Sequence, residues 1–292
     1  MKTILLTGGT GFLGSNVLKR LIESYSVILL KRSFSDTSRI KGIPKERVFF
    51  YDVDKMPLET VFSQNKIDVI LHCATNYGRS EGAITKIVND NLLFPLNLLN
   101  LSMKYRVSKF VNCDTILGRN VNEYSLSKKQ FLDWLKFYSN DIGVVNLKLE
   151  QFYGPFDNES KFITFLARAF LENKPEIDLT DGYQKRCFTY IDDVVRAILL
   201  VLKNVLEHQV SYKEYLISSE EKISIRELVS LVKKIVGNTT TKLNFGAVLT
   251  RKNELSEYEI DISEIKKIGW IPKYLLEKGL KLMITYERKI IE

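Results

Sequence analysis

The chain has 292 residues, of which 45% are apolar, and this length and composition are typical of a globular protein with a large core or two modest lobes. The formal net charge is +8, but the lysines are scattered, which disfavours a nucleic-acid-binding tract and favours an ordinary solvated surface. The alternative is that part of this charge attracts an anionic, phosphate-bearing ligand. No apolar run reaches the ~20 residues that a membrane-spanning helix needs, so we expect no membrane and no nucleic-acid partner.

The N-terminal apolar run is too short for a signal peptide, and a glycine-rich turn follows it at once. The cysteines, Cys73, Cys113 and Cys187, are odd in number and far apart, and no Cys-x-x-Cys or paired histidine spacing accompanies them. The sequence therefore predicts a cytoplasmic protein without a disulfide framework or a metal site.

The first predicted elements surround the glycine-rich turn. An apolar segment over Lys2–Leu6 predicts a strand, the turn covers Thr7–Gly14, and apolar residues then recur at helical spacing. Gly8 permits a tight turn, Gly11 leaves the backbone open to a pyrophosphate, and Gly14 lets the helix pack closely on the strand. The helix N-terminus adds N–H groups and the positive end of a dipole. This order of strand, turn and helix indicates a dinucleotide-binding site.

The end of the second predicted strand, Tyr25–Leu30, bears on the choice of cofactor. Sites that prefer NAD usually carry an acid there, which binds the ribose hydroxyls. This chain has Lys31, Arg32 and Ser33 instead, and the nearest acid, Asp36, lies well past the strand. Two cations and a hydroxyl suit a 2′-phosphate, so we predict NADP(H). The alternative is a basic loop that contacts no ligand.

Two further strands are predicted at Val48–Tyr51 and Ile67–Cys73. Asp52 follows the first, where it either accepts a hydrogen bond from an adenine amino group or caps a turn. The second is apolar almost throughout, as expected of a strand buried on both faces, and it leads into Ala74–Gly78, small residues that would let a nicotinamide ribose and a substrate approach. We interpret His72, within this strand, as a core residue and not as a catalytic base.

A long helix is predicted over Ile84–Met103. Asn91 and Asn97 interrupt its apolar pattern. Asn91 either hydrogen-bonds the backbone of a neighbouring loop or faces water.

The candidate catalytic residues follow a fifth predicted strand, Phe110–Cys113. Thr115 lies beyond its carboxyl end, the edge at which parallel sheets bind ligands. Tyr124 and Lys128 come next, four residues apart and so on one face of a predicted helix. A lysine beside a phenol favours the phenolate and lowers a pKa that is otherwise about 10, which lets a tyrosine exchange a proton with an alcohol or a carbonyl. Alone, this spacing would indicate a surface contact, but its place after the fifth strand of a dinucleotide fold favours catalysis.

Beyond a sixth predicted strand, Val144–Leu149, the alternation weakens, and no linker or repeat separates the rest of the chain. We predict a Rossmann-type α/β fold, a doubly wound parallel sheet with a smaller α/β C-terminal substrate lobe. The dinucleotide-binding domain is predicted to cover residues 1–152, with 187–206 returning to it. The substrate lobe is predicted to cover 153–186 and 207–292.

The order of these motifs resembles the extended short-chain dehydrogenase/reductases that act on nucleotide sugars, the NAD-dependent epimerase/dehydratase family. The resemblance covers essentially the whole chain and includes the turn Tyr153–Pro155, Arg186 and the closing Ile268–Trp270. Within the family, the sequence is most similar to CDP-paratose and CDP-abequose synthases, which reduce the 4-keto group of a CDP-3,6-dideoxyhexulose with NADPH in making bacterial O-antigen sugars. The stretches that carry this similarity are 76–79, 110–115, 147–154 and 251–255.

The resemblance implies that Tyr124 is the catalytic acid/base, that Lys128 lowers its pKa and binds the nicotinamide ribose, and that Thr115 holds the reacting oxygen. It also implies that Arg186 and Arg251 bind the substrate diphosphate, a geometry suited to guanidinium groups. The cofactor-binding residues predicted from the motifs and the resemblance are Gly8, Thr10, Gly11, Phe12, Leu13, Gly14, Lys31, Arg32, Ser33, Asp52, Val53, Cys73, Ala74, Thr75, Asn91, Tyr124 and Lys128. The predicted substrate-binding residues are Asn76, Tyr77, Arg79, Gln151, Phe152, Lys161, Phe162, Arg186, Arg251 and Glu254.

The implied activity is NADPH-dependent reduction of a 4-keto nucleotide sugar, in a homodimer formed through the predicted helices Tyr124–Tyr138 and Ile84–Met103. One alternative is an NAD-dependent nucleotide-sugar 4-epimerase, but the Lys31-Arg32 pair favours exchangeable NADPH and net reduction. Another is a non-catalytic dinucleotide-sensing protein, although such proteins commonly lose the tyrosine or the lysine. Dehydration is disfavoured, because Asp114 has no neighbouring Glu.

Two departures from the family pattern leave the sugar, its nucleobase and the stereochemistry at C-4 open. Leu117-Gly118 follow Thr115 in a shortened segment, where most relatives carry a Ser-rich stretch and a Tyr-Gly pair. Cys187 stands after Arg186, where many relatives have Asp.

Overall fold

The structure is a computed structural model that describes residues 1–44, 46–78, 84–250 and 255–291. The chain divides into two compact units. The first unit comprises Met1–Leu149, Val195–Leu216 and Glu264–Trp270, and the second comprises Glu150–Val194, Ile217–Ser263 and Ile271–Glu292. Two later segments, Val195–Leu216 and Glu264–Trp270, thus return to the first unit, where the sequence predicted one, 187–206. The strand Tyr212–Ile217 forms an edge of its sheet.

The strands are β1 (Thr3–Thr7), β2 (Ser26–Lys31), β3 (Val48–Asp52), β4 (Val69–His72), β5 (Lys109–Thr115), β6 (Gly143–Leu149), β7 (Gln151–Tyr153), β8 (Glu176–Leu179), β9 (Lys185–Tyr190), β10 (Tyr212–Ile217), β11 (Lys222–Ser224) and β12 (Lys242–Phe245). The α-helices are α1 (Phe12–Leu21), α2 (Leu58–Gln64), α3 (Ile84–Val88), α4 (Phe94–Lys104), α5 (Glu123–Phe137), α6 (Phe162–Leu171), α7 (Ile191–Glu207), α8 (Ile225–Val236), α9 (Ser263–Lys267) and α10 (Leu276–Ile291).

The first unit is organised around a parallel seven-stranded sheet with strand order β10-β6-β5-β4-β1-β2-β3. Strand order reverses between β1 and β4, which pair in register from Ile4 with Val69 to Thr7 with His72. Ligands bind at such a reversal, outside the carboxyl ends of the strands. The sheet and its flanking helices confirm the predicted Rossmann-like α/β fold.

The central strands are apolar because both of their faces are covered. Leu5, Ile70 and Phe110 are fully buried, and Phe131 and Leu135 of α5 pack into the same core. A core of this kind makes the strand ends a rigid support for the loops that follow them.

The prediction of one continuous helix over Ile84–Met103 is wrong. A π-helical segment, Asn89–Leu93, separates α3 from α4. Pro95 lies in the first turn of α4, and because proline has no N–H, it cannot donate to the carbonyl of Asn91 four residues before it. Single π turns of this type often occur at functional sites, and this one contains Asn91, which is fully buried.

The second unit contains a three-stranded sheet, β11-β9-β7, and a two-stranded sheet, β12-β8. Helix α8 begins at a capping box, in which Ser224 accepts from the N–H of Glu227 and the Glu227 carboxylate accepts from the N–H of Ser224. It ends at Gly237, which has a left-handed conformation with φ 79°. In the described ranges, no helix is both long and apolar enough to cross a membrane.

Candidate active site

The glycine-rich turn lies where the strand order reverses, between β1 and α1. Gly8 has φ 71°, and a Cβ at this position would lie 2.6 Å from the backbone nitrogen of Ala74 at the end of β4. A Cβ on Gly14 would lie 2.7 Å from the carbonyl carbon of Gly8. Both glycines are therefore required for the turn to pack against its neighbours.

The space around Gly11 is more open than that around Gly8 and Gly14. A Cβ there would meet only the Gly8 carbonyl oxygen, at 3.3 Å, and would otherwise fill open space in front of the loop. Gly11 is also the N-cap of α1, and no described side chain caps this helix end. The open space and the positive helix end fit the pyrophosphate of a dinucleotide. Thr10, Phe12 and Leu13 lie in the same turn.

The residues at the end of β2 form a cluster with acids that follow β3. Ser33 Oγ donates to Asp52 Oδ2 at 2.8 Å, and Lys31 Nζ lies 3.5 Å from the same oxygen. The Ser33 N–H donates to Asp54 Oδ2 at 2.7 Å. Asp52 therefore fixes the loop after β2, and the pKa of its carboxyl is lowered by the hydrogen bonds from Ser33 and Asp54 against an opposing effect of burial. Val53 donates its N–H to the Lys31 carbonyl at 2.9 Å.

The Arg32 side chain contacts Phe34 and Asp90. Its guanidinium lies 4.7 Å from the centre of the Phe34 ring, and Nη1 lies 3.5 Å from Asp90 Oδ1. Nearly half of its side chain, 46%, stays exposed, so the group is accessible to a ligand. Sequence reasoning missed Asp54 and Asp90, although the spacing of acids in Asp52-Val53-Asp54 was a usable signal.

Asn91 of the π segment holds the loop that follows β4. Its Oδ1 accepts from the Asn76 N–H at 2.7 Å, and its Nδ2 donates to the Asn76 carbonyl at 2.8 Å and to Ser127 Oγ at 3.0 Å. Thr75 Oγ1 donates to Asn91 Oδ1 at 3.5 Å. Of the two alternatives for Asn91, the loop contact is the one observed. Through Ser127, the same side chain also joins this loop to α5.

The start of α5 is set by its cap. Asn122 Oδ1 accepts from the Ser125 N–H at 2.8 Å, and Ser125 Oγ accepts from the Asn122 N–H at 3.1 Å. This reciprocal pair fixes the first turn of the helix, which contains Tyr124.

The predicted catalytic hydroxyls come together in the first unit. The Tyr124 side chain forms hydrogen bonds with Thr115, at the end of β5, and with Thr75, after β4. The ring of Tyr77 lies 5.1 Å from that of Tyr124, centre to centre. Thr115 Oγ1 also accepts from the Leu117 N–H at 3.2 Å, which orients its hydroxyl. Two strand ends and one helix therefore meet at a single phenol.

The pKa of Tyr124 is raised and not lowered as expected. Burial raises the pKa of Tyr124 well above that of free tyrosine, and Tyr77 and Asp114 raise it further, whereas the hydrogen bonds from Thr115 and Thr75 lower it. The phenol therefore stays protonated near neutral pH. The pKa is raised because the low-dielectric surroundings disfavour the phenolate.

Lys128 lies one turn further along α5 and is 1% exposed. Among the described residues, no atom forms a hydrogen bond with its Nζ. Burial lowers the pKa of Lys128, and the nearby Asp114 carboxylate opposes this effect. A buried ammonium group without a partner is costly unless a ligand supplies an acceptor. Ribose hydroxyls are acceptors of the required kind, so this group too fits a nicotinamide dinucleotide.

His72 is a core residue, as predicted. Its ring lies among those of Phe94, Phe110 and Phe131, and Nδ1 is 2.8 Å from Thr7 Oγ1. Burial lowers the pKa of His72 well below its usual range, so the imidazole is neutral.

Cys73 and Cys113 lie side by side at the ends of β4 and β5, with free thiols 3.5 Å apart. Over the described ranges, no three side chains of the types that bind metals are grouped so that they could hold an ion.

Predicted substrate residues of the second unit lie on several of its elements. Gln151 and Phe152 form β7, Lys161 is the N-cap of α6, and Phe162 is its first residue. Arg79, Arg251 and Glu254 lie outside the described residues.

Arg186, on β9, is 6% exposed. Its Nη1 donates to the Lys185 carbonyl at 2.6 Å, its Nη2 to the Leu255 carbonyl at 2.8 Å, and its guanidinium lies 4.6 Å from the centre of the Tyr258 ring. Nearby, burial raises the pKa of Glu150 to about 7, although Arg186 counteracts the effect. Sequence reasoning missed Glu150, because a single acid after an apolar strand carries no pattern.

The sequence is similar to a known protein family and to characterised relatives. The model of the NAD dependent epimerase/dehydratase family matches residues 4–217. The CDP-abequose synthase of Salmonella muenchen is 32% identical over 294 aligned residues, which cover 97% of each chain.

Solved structures agree on the fold. The UDP-glucose 4-epimerase of Thermotoga maritima, with UDP-glucose bound, superposes with a TM-score of 0.86 at 27% identity, covering 99% of this chain and 100% of that one. The UDP-glucuronic acid 4-epimerase of Bacillus cereus, in complex with UDP-glucuronic acid and NAD, also has a TM-score of 0.86, at 24% identity and 99% coverage of both chains.

Proposed function

Because the chain belongs to the NAD dependent epimerase/dehydratase family, enzymes that use a nicotinamide dinucleotide and modify nucleotide sugars, we propose that it is an NADPH-dependent nucleotide-sugar 4-ketoreductase. The proposed substrate is a CDP-3,6-dideoxy-4-hexulose, and the product is CDP-paratose or CDP-abequose. The substrate assignment is supported by the 32% identity to a CDP-abequose synthase over nearly the full length of both chains.

The observation that carries the reaction type is the contact of the Tyr124 hydroxyl with Thr115, at a phenol whose pKa burial raises. NADPH, when bound, would supply a hydride for the C-4 carbonyl. Negative charge then develops on the carbonyl oxygen, and a proton must reach it. Tyr124 donates that proton, while the Thr115 hydroxyl orients the oxygen. Lys128 binds the ribose of the cofactor through its unpaired ammonium group.

A raised pKa of Tyr124 suits this direction of reaction. A sugar alkoxide is a stronger base than tyrosinate, so even a weakly acidic phenol transfers its proton to it. Oxidation of a sugar hydroxyl, the first step of a 4-epimerase, would instead need Tyr124 as a base. Burial raises the pKa of Tyr124 and so disfavours that ionised form.

The choice of NADPH is supported by the cations at the end of β2. Arg32 is nearly half exposed, and its partner Asp90 lies at the long distance of 3.5 Å. The Ser33 hydroxyl and the Lys31 ammonium lie nearby, both on Asp52. A 2′-phosphate would bind two cations and a hydroxyl here.

In this proposal, Arg186 and Arg251 bind the diphosphate of the nucleotide-sugar substrate. In the described residues, backbone carbonyls hold the Arg186 guanidinium. A diphosphate would replace such neutral acceptors by charged ones, which form stronger hydrogen bonds with guanidinium groups.

The second candidate is an NAD-dependent 4-epimerase, favoured by the superposition on the Thermotoga maritima UDP-glucose 4-epimerase.

A homodimer is part of both proposals. It would form through α5 and the helices from α3 to α4, which expose Trp134, Phe137 and Leu93 by 44%, 72% and 52%. Sedimentation of the purified protein tests the dimer, and a monomer at micromolar concentration would contradict it.

The deciding experiment measures NADPH oxidation with a panel of CDP-, dTDP- and UDP-linked 4-keto sugars, followed by NMR of the product at C-4. We expect turnover with the CDP-linked 3,6-dideoxy sugar. Interconversion of 4-hydroxy sugars without added NADPH, by protein that purifies with bound NAD, would establish the epimerase instead. Binding of NADP(H) without turnover of any substrate would indicate a sensing protein.

A further inference from the structure

A second lysine of α5, Lys129, forms contacts that the proposed reaction does not use. Its Nζ donates to Asp114 Oδ2 at 2.6 Å and to the Thr115 carbonyl oxygen at 2.7 Å. The Lys129 side chain is 15% exposed, and that of Asp114 is fully buried. One ammonium group therefore joins α5 to two consecutive residues at the end of β5.

Asp114 is itself held from neighbouring strands. Asn146 of β6 donates through Nδ2 to Asp114 Oδ2 at 3.1 Å and to Glu214 Oε2 of β10 at 3.0 Å. Asn112, two residues before Asp114 and so on the same face of β5, donates to Asn146 Oδ1 at 2.8 Å. The carboxylate that receives Lys129 is thus fixed by three adjacent strands, and it provides a rigid anchor for α5.

The position of this anchor matters because the two reacting hydroxyls are on the elements it joins. Thr115 is on β5 and Tyr124 is on α5, five residues before Lys129. A buried ion pair is not in general a way to gain stability, because desolvation of both charges offsets their attraction. The pair therefore calls for an explanation other than stability, and its contact with the Thr115 carbonyl suggests one.

We propose that Lys129 and Asp114 are positioning residues, which hold the Thr115 hydroxyl and the Tyr124 hydroxyl at the separation needed to reach one substrate oxygen together. The proposal rests on the proposed function only in assigning both hydroxyls to the reacting oxygen.

The kinetic test uses Lys129→Gln. We expect kcat to fall by ~10–100-fold, the effect of a small misplacement of reacting groups, while KM for the sugar nucleotide and Kd for NADPH change by less than about two-fold. Asp114→Asn should act in the same direction. In a Thr115→Val background, Lys129→Gln should cost no more than about two-fold, because residues that act through one another are not additive.

Glu287→Gln provides the matched control. Glu287 is a fully buried carboxylate paired with Arg168 at 2.8 Å, in the second unit, so the substitution removes a carboxylate charge from a buried ion pair, as Asp114→Asn does. We expect it to lower the melting temperature and leave kcat unchanged. An unchanged kcat in Lys129→Gln, or an equal loss with and without Thr115, would overturn the proposal and leave the pair a purely structural one.

A structural readout keeps this test separate from that of the reaction. The crystal structure of Lys129→Gln should show the Tyr124 hydroxyl out of hydrogen-bonding distance of Thr115, and an intact contact would contradict the proposal. If the wild-type protein reduces no 4-keto sugar, the proposed function fails, and the crystal structure still decides the positioning role. If Lys129→Gln does not fold, Asp114→Asn, which preserves the side-chain volume, takes its place in the kinetic and structural tests.

Discussion

Asn91 and Asn76 are joined by two hydrogen bonds in opposite directions. The Asn76 N–H donates to Asn91 Oδ1 at 2.7 Å, and Asn91 Nδ2 donates to the Asn76 carbonyl at 2.8 Å. A single side chain thus satisfies both backbone groups of one residue in the loop after β4. Because this loop also contains Thr75 and Tyr77, which contact Tyr124, the π segment that carries Asn91 supports the candidate site directly.

Asn91→Ala should therefore destabilise the protein. The substitution leaves both Asn76 backbone groups without their partner at a partly buried position and removes one of the hydrogen bonds of Ser127 Oγ, so we expect the free energy of unfolding to fall by about 2 kcal/mol or more. Asn97→Ala is the control, because Asn97 is exposed on α4 and its loss should change stability by less than about 0.5 kcal/mol. Urea denaturation measures both variants, and equal effects would contradict the role given to Asn91.

The strands of the parallel sheet and the glycine turn could be predicted because each depends on a local pattern. Continuous apolar runs report strands buried on both faces, and glycine spacing reports the tight turn beside β1. The π segment could not be predicted in this way. It depends on the contact of Asn91 with a loop 15 residues earlier in the chain, and the sequence pattern of Ile84–Met103 is compatible with one regular helix.

The electrostatics of the site were the least predictable part. Tyr124 and Lys128 have the expected spacing, but the sign of the pKa shift of Tyr124 depends on burial and on Tyr77 and Asp114, none of which the spacing reveals. Asp90 and Lys129 were missed for the same reason. Each acts through a contact between elements that are distant in sequence.

Gly14→Ala should disrupt the turn. Its Cβ would overlap the Gly8 backbone, which cannot move without separating α1 from β1. We expect a loss of about 3 kcal/mol in stability, or misfolding, together with loss of NADPH binding in any folded fraction. Gly118→Ala is the matched control, since a Cβ there would meet nothing nearer than Val121 at 4.0 Å. Thermal melts and NADPH titration compare the two, and a Gly14→Ala protein with native stability and affinity would refute the packing argument.

Arg32→Asp should weaken NADPH more than NADH. A hydrogen bond between charged groups is worth ~1.5–3 kcal/mol, so we expect Kd for NADPH to rise by about 10-fold or more and Kd for NADH to change much less. Arg20→Asp, the same change at a more exposed arginine of α1, is the control and should leave both affinities unchanged. Fluorescence titration measures all four constants, and equal losses for the two cofactors would place Arg32 away from the 2′-phosphate.

Glu150 should make stability depend on pH. The pKa of Glu150 is about 7 in the folded protein, above its ordinary value of 4.5, so the folded state binds the proton more tightly than the unfolded state does. Stability is therefore lost as the pH rises between these values and stays lower above about pH 7. Glu150→Gln removes this effect, and it should exceed the wild type by up to ~3 kcal/mol at about pH 8 and by little at about pH 4. Denaturant unfolding at the two pH values checks this, and a gap independent of pH would show that Glu150 does not titrate as stated.

Tyr124→Phe tests the chemistry, because it keeps the ring and removes only the hydroxyl. We expect kcat for reduction of the 4-keto sugar to fall by ~10²–10⁴-fold, the usual contribution of a general acid, while NADPH binding is retained. Thr115→Val should lower kcat by a smaller factor, since the proton donor remains and only one orienting hydroxyl is lost.

The pH profile of kcat gives a second readout. Because burial raises the pKa of Tyr124, the acid form persists, and kcat should stay level up to about pH 10, where a free tyrosine would already ionise. Reduction by Tyr124→Phe at the wild-type rate would show that another group supplies the proton.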